Sequence, residues 1–256
     1  MFLNLKSDTL FIIPCCKTKQ SGGISLYKYN DELKESVSLE VYQKIISARK
    51  ELLKTIKQNQ KYISNDYSKN KNIEFGPDFG MRDSSGKYLP TIDRYIGKLY
   101  SAEPNFSDII KRGISNPDKP KIIILSALYG PLDPLSIIQD YNLKMGDSPA
   151  FKIWKEYFPN FLRDYISRNQ IIRIHLYLGS TTNYLKVAKN AILPLLKKGL
   201  INQAIQFEVE KGNSFHTPKN HGRLVLAHFQ NKNVSGLTRN IRENILKLEI
   251  KSDLIT

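Results

Sequence analysis

Cysteine is nearly absent: Cys15 and Cys16 are the only two, and they are adjacent. Neighbouring residues rarely supply the separation and directions a disulfide needs, and a zinc centre built on cysteine would need a second pair, so both are excluded. Histidine is scarce too, with four in 256 residues. None stands in an HExxH pattern; His175 falls inside an apolar run, and His216, His221 and His228 gather in the tail. No metal or other cofactor is expected. No apolar run reaches membrane length and no secretory leader pattern opens the chain, which predicts a cytoplasmic protein with reduced thiols. A Walker loop is missing as well.

Acidic residues are outnumbered, 24 against 39 Lys plus Arg, for a formal charge of +15. Such an excess attracts polyanions, nucleic acid first among them, and carries no information about base sequence. The apolar fraction of 41% is enough for a sizeable core.

Three apolar runs end in polar or glycine-bearing corners. DTLFIIPC predicts a buried strand ending at Pro14, KIIILSALYG a second, and IIRIHLYLG a third followed by a helix that Ser180 or Thr181 can cap. Residues 34–58 predict a long helix, because Val37, Val41, Ile45, Ala48, Leu52 and Ile56 share one face. The Asn-rich stretch to residue 72 reads as a loop, and 75–90 as an irregular crossing. Helices are predicted near 105–113 and over 150–166, the latter kinked or divided at Pro159. In the tail, IQFEVE and RLVLAHFQ predict a hairpin, and LTRNIRENILKLEI a closing helix. The whole predicts a single compact α/β domain over residues 1–256 around a mixed sheet, with residues 200–256 as its hairpin-and-helix extension.

Strand ends in such folds gather at one edge, so the corners are where chemistry is expected. At the first, Lys17 and Lys19 offer cations, and Ser21 with its following glycines offers donors to an anion. Cys15 or Cys16 is a possible nucleophile favoured by those lysines, or a core residue. The central corner supplies Tyr129 and Tyr141 as rings for a nucleobase, with Asn142 and Lys144 beside them; the same features also suit a rigid, proline-braced turn. Asp93 is the candidate base or nucleophile, with Arg94 favouring its charged form and Tyr95 close by. Lys17, Lys19, Asp93, Tyr129 and Tyr141 are expected to line one concave site. In the tail, Arg239, Arg242 and Lys247 are candidate phosphate contacts.

The segment LSALYGPLDPLSIIQDYNLKMGD resembles the central signature of the peroxide stress protein YaaA family, at Leu125, Ser126, Leu128, Tyr129, Gly130, Pro134, Tyr141, Leu143, Met145 and Gly146. Further likeness falls at Lys17 and Thr18, at Asp93, Tyr95 and Gly97, and at Gly179, Ser180, Tyr184 and Lys186, so that it spans residues 10–230. The resemblance implies a compact α/β fold with a positively charged cleft, DNA binding and protection against oxidative damage. The opening departs from the family, with Pro14-Cys15-Cys16-Lys17 in place of a Ser-Pro-Ala-Lys type of sequence. It is similar to the Pro-Cys-Ser-x-x-Lys opening of archaeosine synthase, which would put Lys19 where that enzyme's lysine attacks a modified base; the later Pro-Tyr and histidine parts of that motif are unmatched. Two functions follow as expectations: a DNA-binding stress protein, or an enzyme acting on a nucleobase or its N-glycosidic bond through Lys19 or Lys17 with Asp93. The expected partner is DNA or a nucleobase-like small molecule.

Overall fold

A computed structural model describes residues 7–25, 31–82, 85–209, 217–232 and 241–246. In chain order the elements are β1 (Thr9–Pro14), α1 (Leu33–Ser36), α2 (Leu39–Lys57), β2 (Tyr88–Pro90), α3 (Thr91–Arg94), α4 (Phe106–Ile114), β3 (Lys121–Ser126), β4 (Gly130–Leu132), β5 (Ile137–Gln139), α5 (Ser148–Arg168), β6 (Arg173–Leu176), α6 (Asn183–Lys197), β7 (Gln203–Val209), α7 (Thr217–Phe229) and β8 (Ile241–Ile245). Six strands form one sheet in the order β4-β3-β1-β6-β7-β8, while β2 and β5 pair separately. β3, β1, β6 and β7 run parallel, and β4 and β8 close the edges antiparallel. The protein is thus one α/β domain around a mixed sheet.

The central strands are apolar throughout because both faces are covered. Leu10, Phe11, Ile12 and Ile13 of β1 and Ile123, Ile124 and Leu125 of β3 are completely buried. Helices α2, α5 and α6 pack together, and α4 packs on α7. The apolar stripe of α2 faces the core as its spacing demands, with Val41, Ile45, Ala48, Leu52 and Ile56 all buried. This helix starts later than expected, since Ser38 caps it by accepting from the Val41 N–H and thereby separates it from α1.

Three expectations are corrected. The Asn-rich stretch holds two 3-10 helices, Gln60–Tyr62 and Asn65–Asn72, because its asparagines satisfy backbone groups: Asn59 caps the first, and buried Asn70 donates to the carbonyls of Tyr62 and Asn142. Pro159 does not divide α5. A proline strands the carbonyl four residues earlier, and here the Asn190 amide of α6 donates to that Lys155 oxygen at 3.0 Å. In the tail, RLVLAHFQ contributes to helix α7, and Ile241–Ile245 is a strand paired with β7. The antiparallel partner of β7 therefore arrives after a helix. Leu224, Val225, Leu226, Ala227, His228 and Phe229 are all buried, and a helix covered all round loses the periodicity that distinguishes it from a buried strand.

Candidate functional site at the sheet's switch point

From β1 the chain crosses to β3 on one side, then returns past β1 to build β6 and β7 on the other. The strand order reverses between β1 and β6, and beyond the carboxyl ends of these two parallel strands the flanking connections part and leave a crevice. Two hollows occupy that place. One, of about 670 Å³, is lined by Pro14 to Thr18, Gly97 to Leu99, Gly179 to Thr182, Tyr184, Glu208, Pro218 and His221. The other, of about 460 Å³, is bounded by Asp66, Tyr67, residues 142–146 and Asn183. They share Cys15, Cys16, Lys17, Thr182 and Tyr184, and so form one cleft. A third hollow, of about 720 Å³, opens near residues 170–172 and Leu200, which precede β6 and β7, at the opposite end of the sheet.

The floor is a hydroxyl network around one sulfur. Cys15 follows β1 directly and its N–H donates to the Leu125 carbonyl, so the sheet fixes its position. Its Sγ lies 2.9 Å from the Tyr184 hydroxyl and receives the Tyr141 hydroxyl at 3.4 Å. Tyr141 in turn meets the Tyr95 hydroxyl at 2.9 Å and Ser126 Oγ at 2.8 Å. Behind them Lys19, only 6% exposed, places Nζ 4.0 Å from the centre of the Tyr141 ring and donates to the Cys16 carbonyl at 2.8 Å. Burial lowers the pKa of this lysine. The other sulfur is held differently: Cys16 Sγ donates to the Thr18 carbonyl and accepts the Gly97 N–H, and burial, helped by the neighbouring Cys15, pushes its thiol up to about 12.

Helix α6 begins at the cleft. Thr182, rather than Ser180 or Thr181, caps it, accepting from the Leu185 N–H while donating to the Gly179 carbonyl. Exposed Lys17, Lys98 and Lys144 line the cleft, and among the described residues its acidic groups are Asp66 and Glu208. Lys17 pairs with Asp66 at 3.2 Å, and Lys144 lies over the Tyr67 ring.

The predicted residues divide accordingly. Lys17, Asn142 and Lys144 line the cleft, while Lys19, Tyr95 and Tyr141 lie in or against its floor. Asn142 is engaged with Asn70 and the Asp66 carbonyl. Tyr129 touches the Tyr141 ring but turns its hydroxyl away to Asp78, and both rings are completely buried, so neither offers a face for stacking. Asp93 is not brought to the cleft: it faces a separate hollow, where Lys111 and Ser107 bind it. Nor is Arg94 its partner. That guanidinium is wholly buried and donates to the carbonyls of Gln20, Gly22, Lys87 and Ile138. Ser21 is exposed beside this clamp. Arg242 lies in β8 opposite Glu208 in register, and Arg239 and Lys247 fall outside the described residues.

Nothing in the sequence singles out Tyr67 or Thr182, but it does place Lys98 with Asp93, Arg94, Tyr95 and Tyr100 around Gly97, near a pocket. Tyr67 sits in a polar stretch with no pattern to mark it, whereas the Gly-Ser-Thr-Thr run after β6 carried a usable signal. His221 and His228 occupy α7, bonded to the Phe207 carbonyl and the Tyr177 hydroxyl, and His216 lies outside the described residues. Among the described residues no group of three His, Cys, Asp or Glu is placed to hold a metal, and no helix is long and apolar enough to cross a membrane.

Fold and cleft together define an α/β protein with a switch-point crevice of the kind that receives a ligand. A family model described as "Peroxide stress protein YaaA" matches residues 9–240, and the chain belongs to that family. No curated protein matches it.

Proposed function

We propose that the chain is a nucleic-acid-binding protein of the peroxide stress response, holding DNA across the mouth of the switch-point cleft. The carrying observation is the exposed lysine trio, Lys17, Lys98 and Lys144, along a cleft where the strand order reverses. The charge of +15 supplies the wider field that draws a polyanion there. Phosphates meet the lysines, and an unstacked base fits the apolar interior between Tyr67, Met145 and Tyr184. The test is fluorescence titration of labelled duplex and single-stranded DNA over a range of salt. Three lost phosphate contacts make the slope of log affinity against log salt shallower by roughly 2.7, at about 0.9 for each contact with duplex DNA. The variant Lys17→Ala/Lys98→Ala/Lys144→Ala is expected to show that change; a slope equal to that of the wild type overturns the placement.

A second reading, an enzyme acting on a nucleobase or its N-glycosidic bond, is favoured by the dry site of Lys19, where a neutral amine nucleophile is easier to form. The likeness to archaeosine synthase points to the same lysine. Its neutral form is favoured by burial, against the opposing pull of Cys15, Cys16 and Asp140, and Asp93 takes no part because it lies elsewhere. Incubation with nucleosides and DNA, followed by reductive trapping and intact-protein mass spectrometry, decides this reading: an adduct lost in Lys19→Ala supports it, and unchanged protein and substrates across the panel remove it.

A further inference from the structure

We propose that Cys15 is a hydroperoxide-reactive thiol and that its neighbour Cys16 is not. The observation behind it is the set of hydroxyls that meet the Cys15 sulfur at the cleft, and it stands apart from nucleic-acid binding. A tyrosine hydroxyl has one proton and two lone pairs. Tyr141 Oη is met by the Tyr95 and Ser126 hydroxyls, which can fill both lone pairs as donors, and its own proton goes to Cys15 Sγ. Ser126 Oγ meanwhile accepts the Tyr129 N–H, which leaves its proton for Tyr141. This arrangement allows the network to end on the sulfur, with Tyr141 donating to it. Tyr184, 2.9 Å away on the other side, accepts from the thiol or donates to the thiolate, and it lines both hollows. It is thus the group through which a proton leaves the sulfur for the cleft. In its protonated form Lys19, behind the Tyr141 ring, adds positive charge on that side of the network.

Access selects the oxidant. Cys15 is 7% exposed, at the line where the two hollows meet. A hydroperoxide of two oxygens reaches such a sulfur, whereas a bulky disulfide does not. The sulfur attacks one peroxide oxygen, the S–O bond forms as the O–O bond breaks, and the thiol proton passes through Tyr184 to the departing oxygen. Hydrogen peroxide is reduced to water, and the thiol is oxidised by two electrons to a sulfenic acid. Adjacent cysteines rarely reach disulfide geometry, and Cys16 Sγ is tied to Thr18 and Gly97, so the sulfenic acid persists long enough to be captured.

The native wild-type chain is treated with hydrogen peroxide in the presence of a sulfenic-acid-trapping dione, digested, and read by fragment-ion mass spectrometry, with the urea-unfolded chain as reference. The adduct is expected on Cys15 alone and faster than in the unfolded chain. Cys16→Ser should keep the rate, and Tyr184→Phe should slow it about tenfold, the worth of one hydrogen bond to a charged acceptor. Labelling of Cys16, equal labelling of both, or a Cys15 rate no greater than in urea overturns the proposal, and these readouts need no variant to fold.

Discussion

Arg94→Leu should destabilise the protein without first acting on a ligand, because the guanidinium's two Nη groups donate to main-chain oxygens. Its Nη1 binds the carbonyls of Gln20 and Gly22, and its Nη2 those of Lys87 and Ile138. The Ile138 bond is fully buried, so its acceptor has no water to turn to, and leaving it unmet costs about 1–3 kcal/mol. The other three are part-buried and can be rehydrated, at about 0.5–1 kcal/mol each. The sum is roughly 2.5–6 kcal/mol, which for a chain of this length lowers the melting temperature by roughly 10 °C. Arg94→Lys should recover only part of this, since an ammonium cannot fork to four acceptors. Urea unfolding checks the value: the midpoint should fall while the slope stays constant. A loss below about 1 kcal/mol with DNA affinity reduced would refute the reasoning and return Arg94 to the ligand.

Three further outcomes follow from buried geometry. Gly130→Ala places a Cβ 2.3 Å from the Trp154 ring at a φ of +67°, and that ring is anchored by its N–H to the Ala127 carbonyl; thermal unfolding should show a loss of roughly 2–4 kcal/mol. Asp31→Ala removes the carboxylate 2.9 Å from the buried Arg49 guanidinium and should cost roughly 3–5 kcal/mol by urea titration, whereas a change near zero would mean that water replaces the carboxylate. Burial depresses His175 to about 3 and His228 to about 4, so these residues favour folding above the unfolded value near 6.5, and that stability is lost as pH falls toward the folded values. His175→Phe keeps the stack on Phe11 and removes one titrating group, so its stability relative to wild type should rise as pH drops below about 6.5; a constant difference across pH would show that His175 does not titrate on unfolding.

The sheet was legible because β1, β3 and β6 are covered on both faces and read as apolar runs broken by proline or glycine. The corners after them meet at the cleft, the central one through residues 142–146, and that much of the arrangement followed from strand ends alone. What failed were assignments that depend on where a side chain turns. Asp93 and Arg94 are neighbours in sequence yet point to Lys111 and to four carbonyls, respectively. Tyr129 and Tyr141 looked like stacking surfaces because tyrosine tolerates either environment; the structure uses their rings as core and their hydroxyls as hydrogen-bond partners within it. The tail misled for a different reason. A helix buried on every side carries no period, and the strand Ile241–Ile245 gets its partner from β7, far from any local signal.

The claim that the switch-point cleft is the nucleic-acid site is tested most directly by photocrosslinking single-stranded DNA to the native chain and mapping the adducts by mass spectrometry. The account predicts adducts on the peptides carrying Tyr67, residues 142–146 and Tyr184, lost together in the Lys17/Lys98/Lys144 triple variant. Adducts confined to the hollow at the opposite end of the sheet, around Ser38, Arg163 and Gln170, would contradict it.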